Sequence, residues 1–162
     1  MSDATIRRAT GADRPWLITA MAGISDHEHA LHDSRRPGAD CAEAYLTQIE
    51  AAITAQGGAI LVAARGEERL GCIAFHVARE VNAAQTPDSN VYGYVSDLYV
   101  APAARRQGLA SRLLAEAERH FRDAGLRRMR IGSLAANASA VGAYHRFGFE
   151  AYEVVLEKRL VP

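Results

Sequence analysis

Paired cysteines, long apolar runs and an excess of either charge are all missing from this 162-residue chain, and each absence excludes a class of protein. Cys41 and Cys72 make neither a disulfide framework nor a CxxC zinc pattern, which fits a reducing compartment and predicts a cytoplasmic protein. Lysine plus arginine and aspartate plus glutamate both number 19, so no global field draws the chain to nucleic acid or to an anionic membrane. Any anion site has to be local. Met1 to Thr10 carry no apolar run fit for a signal peptide, and no later stretch approaches the ~18 apolar residues of a membrane span. Linkers, internal repeats and low-complexity tracts are absent too, which leaves a single domain, 1–162, as the expectation. What is present is ordinary for a folded protein: 49% hydrophobic and 23% charged residues, far from the signature of disorder.

Periodicity divides the chain into elements. Ala4 to Arg8 reads as a strand, and Asp13 before Pro15 marks the start of a helix running to about Met21. Gly23 to Asp40, polar and punctuated by Arg36-Pro37-Gly38, reads as a loop with at most a helical turn. Ala42 to Gln56 has Ala44, Tyr45, Ile49 and Ile53 at three-to-four spacing and predicts an amphipathic helix stopped by Gly57-Gly58. Ala59–Arg65 and Leu70–Arg79 predict an antiparallel hairpin, and Glu80 to Asn90 a longer loop. Val91–Val100 predicts a third long strand ended by Pro102. Arg106 to Ala124 carries Leu109, Leu113, Leu114, Ala117 and Phe121 as one apolar stripe, closed by Gly125. Met129–Leu134 predicts a strand, Ser139–Phe147 a shorter helix and Ala151–Leu160 a terminal strand. The order β-α-α-β-β-β-α-β-α-β indicates an α+β (mixed α/β) domain around one sheet.

The chemistry concentrates between Ser96 and Ala110. Here a strand runs through a tight turn onto a helix whose first backbone N–H groups lack partners, an arrangement that binds anions. Gly108 and Ala110 leave room for close approach of a phosphate, and Arg105 and Arg106 add positive charge. No lysine follows the glycine, as a nucleotide P-loop requires, and GxGxxG is absent. The phosphate-bearing ligand is therefore of another kind.

Arg105, Gly108 and Ala110, after a strand and before a helix, reproduce an Arg/Gln-x-x-Gly-x-Gly/Ala motif. Asn137, Ala140, Tyr144 and Gly148-Phe149 reproduce a second motif downstream at matching spacing. Together they resemble the GNAT family of N-acetyltransferases, over Val91 to Phe149. The resemblance implies a central mixed, mostly antiparallel sheet of about six to seven strands flanked by about four helices. It also implies acetyl-CoA as co-substrate, no metal, and a small amine or protein amine as acceptor, with a homodimer as a further possibility.

By that resemblance the backbone of Leu98, Tyr99 and Val100 holds the pantetheine arm as a pseudo-strand in a cleft facing Met129–Leu134, and one of its amides polarises the thioester carbonyl. Amides of Arg106, Gln107, Gly108, Leu109, Ala110 and Ser111 hold the pyrophosphate. Asn137 touches the pantetheine from the other wall, and Tyr144 protonates the departing thiolate. Taken alone, Tyr144 reads as an amphipathic core residue and Asn137 as a helix cap. Phe147 and Phe149 read as core.

An attacking amine has to lose a proton, and Asp97 is the leading candidate base, against a plain structural pairing of the same carboxylate. By strict alternation it shares a face with Val95 and Tyr99, a parity that a β-bulge would break. The cluster Asp26-His27-Glu28-His29 with His32-Asp33 lacks metal-ligand spacing and reads as a polar loop; in the resembling family this region lines the acceptor side. His76 reads as a core histidine with an acceptor-side role as the alternative. Arg127, Arg128 and Arg130 read as solvated surface or, for one of them, a contact to the nucleotide 3′-phosphate. Neither Cys41 nor Cys72 has a nucleophile signature, which favours direct attack in a ternary complex. Two other readings stay open: a non-catalytic acyl-CoA-binding module, and an enzyme using another acyl-CoA or a hydroxyl acceptor.

Overall fold

The computed structural model describes residues 4–160; the outermost residues of the expected 1–162 domain therefore lie outside the described residues. A mixed α+β fold is built from β1 (Thr5–Arg8), α1 (Arg14–Leu31), α2 (Gly38–Gln56), β2 (Gly58–Arg65), β3 (Glu68–Arg79), β4 (Val91–Val100), α3 (Leu109–Asp123), β5 (Met129–Ile131) and α4 (Ala138–Phe147). The sheet order is β1-β2-β3-β4-β5, with antiparallel pairs up to β4 and a parallel pair between β4 and β5. Among the described residues no helix is long and apolar enough to cross a membrane.

Each face of the sheet carries its own core. On one face α3 lays down Leu109, Leu113, Leu114, Ala117 and Phe121, all buried, against Ile73, Phe75 and Val95. The spacing places these side chains on one stripe, and each buried aliphatic or aromatic side chain contributes about 1.5–3 kcal/mol. On the other face Leu17, Ala20 and Met21 of α1 and Ala42, Leu46 and Ile49 of α2 pack over Val62, Cys72 and Ala74. Asp13 stands at the N-cap of α1, but its side chain makes no cap hydrogen bond to that helix; it accepts instead from the Thr10 amide (2.8 Å) and hydroxyl (3.0 Å), closing a capping box on the 3₁₀ turn Gly11–Asp13 that precedes it.

Four boundaries differ from expectation. The polar stretch Gly23 to Asp40 is mostly helix, because α1 continues to Leu31 and α2 begins at Gly38. Gly23 does not break α1; a Cβ there would meet the Tyr99 ring at 2.9 Å, so the glycine serves close packing on β4. Asp26, His27 and His29, polar residues that suggest a loop, lie on the exposed side of the helix. The strand expected over Met129–Leu134 pairs only through Ile131. The helix expected from Arg106 begins at Leu109 after a one-turn 3₁₀ segment, Pro102–Ala104, and an irregular loop.

The fourth difference corrects the strand count, which is five among the described residues rather than six to seven. Ala151–Leu160 has strand-like composition but makes no backbone–backbone hydrogen bond among the described residues and lies exposed. Composition favours an extended chain, but a strand exists only when a neighbour takes its N–H and C=O groups.

Candidate active site

β4 is paired with β3 along its whole length but with β5 only from Gly93 to Val95. Beyond Val95 the two parallel strands part, and the free edge of Ser96–Val100 faces Gly132, Ser133 and Leu134 across a cavity of about 880 Å³. The α1–α2 region closes one end of it with His27, Glu28 and Tyr45, and α4 forms a wall with Ala140 and Tyr144.

The register of β3 against β4 shifts between Ala74 and Phe75: Ala74 lies opposite Asp97 while Phe75 lies opposite Val95, so Ser96 is the extra residue of a β-bulge. This corrects the strict-alternation expectation. Val95 and Leu98 both pack toward the α3 core, whereas Tyr99 packs toward α1 and α2 and Asp97 bonds to Tyr45 of α2. The bulge thus turns the carboxylate away from the face that Val95 occupies.

Asp97 is 6% exposed, and its carboxyl accepts a hydrogen bond from the Tyr45 hydroxyl at 3.2 Å. Burial pushes its pKa up to about 6, held back by hydrogen bonds from Ser96 and Tyr45. Among the described residues no cation forms an ion pair with it. Burial also raises the Tyr144 phenol, to about 12, with the Asp97 charge adding to the effect. The phenols of Tyr45 and Tyr94 move upward for the same first reason. The cavity therefore holds a carboxylate that exchanges its proton near neutrality beside phenols that keep theirs. That combination takes a proton at one atom and gives one at another.

The loop before α3 has Arg106 at φ 61° and Gly108 at φ 76°, both left-handed. Glycine adopts this readily, whereas arginine does so rarely and at a cost, a form of local strain that clusters at ligand-binding turns. No side chain caps the amides at the start of α3, and a Cβ at Gly108 would meet nothing within 4 Å, so space stands open above them. Arg105 donates from Nε to the Val100 carbonyl at 3.0 Å, bracing the turn, and it lines the cavity together with Ala110. Gln107 is occupied with the Ala103 carbonyl (3.1 Å), and the Leu109 side chain is buried in the α3 core. Arg106, Gln107, Gly108, Leu109 and Ser111, in the loop and the first turn of α3, are not among the residues lining the cavity.

Asn137 is the N-cap of α4, its Oδ1 accepting from the Ala140 amide at 3.3 Å, and it also lines the cavity. Tyr144 packs edge-on to Phe149. His27 and Glu28 line the cavity; His29 and His32 do not, and their ring nitrogens face the Arg35 carbonyl (2.6 Å) and the Ser34 hydroxyl (2.8 Å). Among the described residues no group of three or more His, Cys, Asp or Glu is placed to hold a metal ion. His76 is half-buried, edge-on to Tyr94 and outside the cavity, rather than a core residue. Arg127 and Arg128 are exposed, Arg128 in a surface ion pair with Asp88 (3.0 Å), whereas the solvated reading fails for Arg130, which lies between the rings of Tyr92 and Tyr152 while bonding Ser89. The Cys72 thiol is buried and pushed far up by desolvation. Cys41 touches the cavity but donates to the Pro37 carbonyl at 3.3 Å.

Tyr45 was not visible as a functional residue in the sequence. It occupies one position of an amphipathic stripe, and only the packing of α2 over β2 and β3 brings its hydroxyl to Asp97 on the neighbouring strand.

A model of the Acetyltransferase (GNAT) family matches residues 26–149. No curated protein sequence matches the chain. Among solved structures, a tetramutant of a protein from Bacillus halodurans superposes with a TM-score of 0.81 at 17% identity, covering 96% of this chain and 99% of that one. The aminoglycoside 6′-N-acetyltransferase AAC(6′)-Ig from Acinetobacter haemolyticus gives 0.71 at 18%, covering 98% and 99%. The aminoglycoside N-acetyltransferase AAC(6′)-Iy, in complex with the bisubstrate analogue CoA-S-monomethyl-acetylneamine, gives 0.70 at 20%, covering 99% and 100%. At these identities the likeness establishes the shared fold.

Proposed function

This chain belongs to the GNAT acetyltransferase family, and on that premise we propose that it transfers the acetyl group of acetyl-CoA to a primary amine, by direct attack in a ternary complex, as a single cytoplasmic domain. One observation carries the reading. A carboxyl poised near pH 6, Asp97, and a phenol that stays protonated, Tyr144, line the cavity where β4 and β5 part.

In this reading the pantetheine arm lies along the free edge of Leu98–Val100 and the pyrophosphate sits on the uncapped amides between Arg106 and Ser111. The ammonium acceptor enters from the end formed by Glu28 and Tyr45. It passes a proton to Asp97, which is largely ionised at neutral pH, and the free amine attacks the thioester carbonyl. A backbone amide of β4 stabilises the oxyanion. Collapse of the tetrahedral intermediate breaks the C–S bond; the Tyr144 hydroxyl donates its proton to the thiolate, and the phenolate takes up the second proton of the attacking nitrogen, which leaves a neutral amide and a free CoA thiol. No enzyme nucleophile is needed, in keeping with the buried Cys72 and the engaged Cys41.

Thermal unfolding with and without acetyl-CoA tests the placement, because a ligand that binds only the folded state raises the midpoint by mass action. Wild type is expected to show a saturable rise. Gly108→Trp, whose side chain fills the open space above the amides, is expected to fold with a lowered midpoint and to lose the rise. An amine panel that includes aminoglycosides, the acceptors named for two structural neighbours, then searches for turnover. No shift in wild type at millimolar acetyl-CoA overturns the reading.

A further inference from the structure

The charged residues at the α1–α2 end of the cavity do not share one sign. Glu28 of α1, Arg35 and Arg36 of the α1–α2 connection and Asp97 of β4 all line it. Arg35 reaches Glu28 through Nε at 2.9 Å, so these two charges cancel where they stand. One carboxylate and one guanidinium are left over. Asp97 is buried and receives only neutral donors, Tyr45 among them. Arg36 is exposed, and among the described residues its guanidinium has neither a carboxylate at ion-pair distance nor a hydrogen bond. Both signs act within one small space: the charges of Asp97 and Arg35 each reach the Tyr94 phenol and move it in opposite directions. The cavity thus offers a carboxylate at depth and a guanidinium near solvent. His27, which lines the same end, carries a ring N–H in either protonation state and adds a donor for an anion.

A ligand complementary to that pair carries both charges itself. We propose that the acceptor is an amine that also bears a carboxylate, the free amino acids being its simplest class, and that Arg36 is the subsite for the carboxylate; the inference rests on the reading of Asp97 as the group that takes the ammonium proton. The ammonium donates to Asp97 while the planar fork of Arg36 donates to both carboxylate oxygens, which fixes the orientation of the acceptor as well as its charge. Arg35, held by Glu28, adds positive charge on the same side. A polycation such as an aminoglycoside meets two guanidiniums at this end and a single unpaired carboxylate, an unfavourable match. In the transfer the C–N bond forms and the C–S bond breaks. One ammonium proton goes to Asp97 and a second to the Tyr144 phenolate, which has just protonated the thiolate. The product keeps its carboxylate, but its acetylated nitrogen is no longer basic and gives up the contact with Asp97.

Matched acceptors test it: the common L-amino acids against their carboxamides, with aminoglycosides beside them, each assayed by release of the CoA thiol from acetyl-CoA. The carboxamide keeps the amine and deletes the charge, and it stands in for a protein N-terminus, whose carboxyl is lost to the peptide bond. Its amine is also the less basic, so intrinsic availability favours it at neutral pH. At least one amino acid is expected to exceed its carboxamide in kcat/KM by about tenfold or more, the lower scale for a hydrogen bond between charged groups. Arg36→Gln is expected to bring that ratio close to one, chiefly through KM because the contact is alike in ground and transition states, and Arg36→Lys to keep part of it. Calorimetric titration of the same compounds into CoA-saturated protein reads the subsite without turnover, and wild type is expected to bind the preferred amino acid more tightly than its carboxamide. Carboxamides or aminoglycosides used as well as every amino acid sink the proposal and leave amine acetylation standing, as does a preference that Arg36→Gln does not alter. If acetyl-CoA binds and no amine of the panel is acetylated, the reading beneath it falls instead, and the titration decides the carboxylate subsite alone: no binding of any amino acid up to millimolar concentration overturns it.

Discussion

Among the described residues two aspartates are buried, one at the foot of α1 and one in the middle of β4, and their pKa values move in opposite directions. Asp13 is fully buried, yet Arg7 (2.7 Å), Arg69 (3.1 Å) and the Thr10 amide hold its carboxyl well below the usual carboxylate range. Asp97 is almost as buried but receives only neutral donors, and desolvation lifts it to about 6. Burial alone does not decide the charge; the partners do. Asp13 is neutralised where it stands and fixes the start of a helix. Asp97 is left without a cation beside a cavity, which is how a proton acceptor for neutral pH is made.

The comparison predicts that the two sites separate under mutation. The largest effect is expected in turnover: Asp97→Asn lowers kcat/KM for the amine by about 100-fold or more, the usual scale for loss of a general base, while Asp13→Asn leaves activity per folded molecule within a few-fold. Steady-state kinetics on both variants checks this, and equal losses would erase the distinction. Next is stability. Asp13→Asn strands Arg7 and Arg69 and removes a charged cap; because both arginines are partly exposed, the cost is expected at about 2–3 kcal/mol, below the range for fully buried pairs. Denaturant unfolding at pH 7 measures it.

The signs of the two pKa shifts give the third test. A depressed carboxyl such as Asp13 contributes stability that is present above the ordinary carboxylate pKa of about 4 and is lost as pH falls through its folded value. A raised one such as Asp97 favours the folded state when protonated, a contribution that is full below about 4 and lost as pH rises through 6. Asp97→Asn is therefore expected to be more stable than wild type by about 1–2 kcal/mol at pH 8, with the gain shrinking as pH falls through 6 and gone below about pH 4. Thermal melts across pH report the crossover. The smallest effect belongs to Tyr45→Phe. The Tyr45 hydrogen bond lowers the Asp97 pKa, so its removal is expected to move the acidic limb of the kcat/KM profile upward by less than about one pH unit, with little change at pH 8. A downward move would show that another group sets that limb.

Much of the site was legible before any fold was known. Arg105, Gly108 and Ala110 mark the turn into α3, and Asn137 and Tyr144 mark the following helix; the structure sets four of these five at one cavity and Gly108 in the turn at its edge. Less was legible around them. Gly23 to Asp40 looked like a loop because helix polarity was judged without knowing which side faces solvent, so Glu28 and His27 were assigned to irregular chain rather than to α1. The terminal strand was expected from its own composition, whereas pairing depends on a neighbour that composition does not reveal.

By itself the sequence determined the features that local spacing controls: the α3 stripe, the β2–β3 hairpin, the left-handed glycine before α3 and the order of elements through α4. Each of these is set by interactions between residues a few positions apart. The tertiary structure alone decided the bulge at Ser96, the parting of β4 from β5 after Val95, the meeting of Tyr45 with Asp97 and the exposure of 151–160. These depend on which strand lies beside which and which helix covers them. The chemistry of Asp97 depends on them in turn, because its pKa is a property of the dry space made by three distant segments.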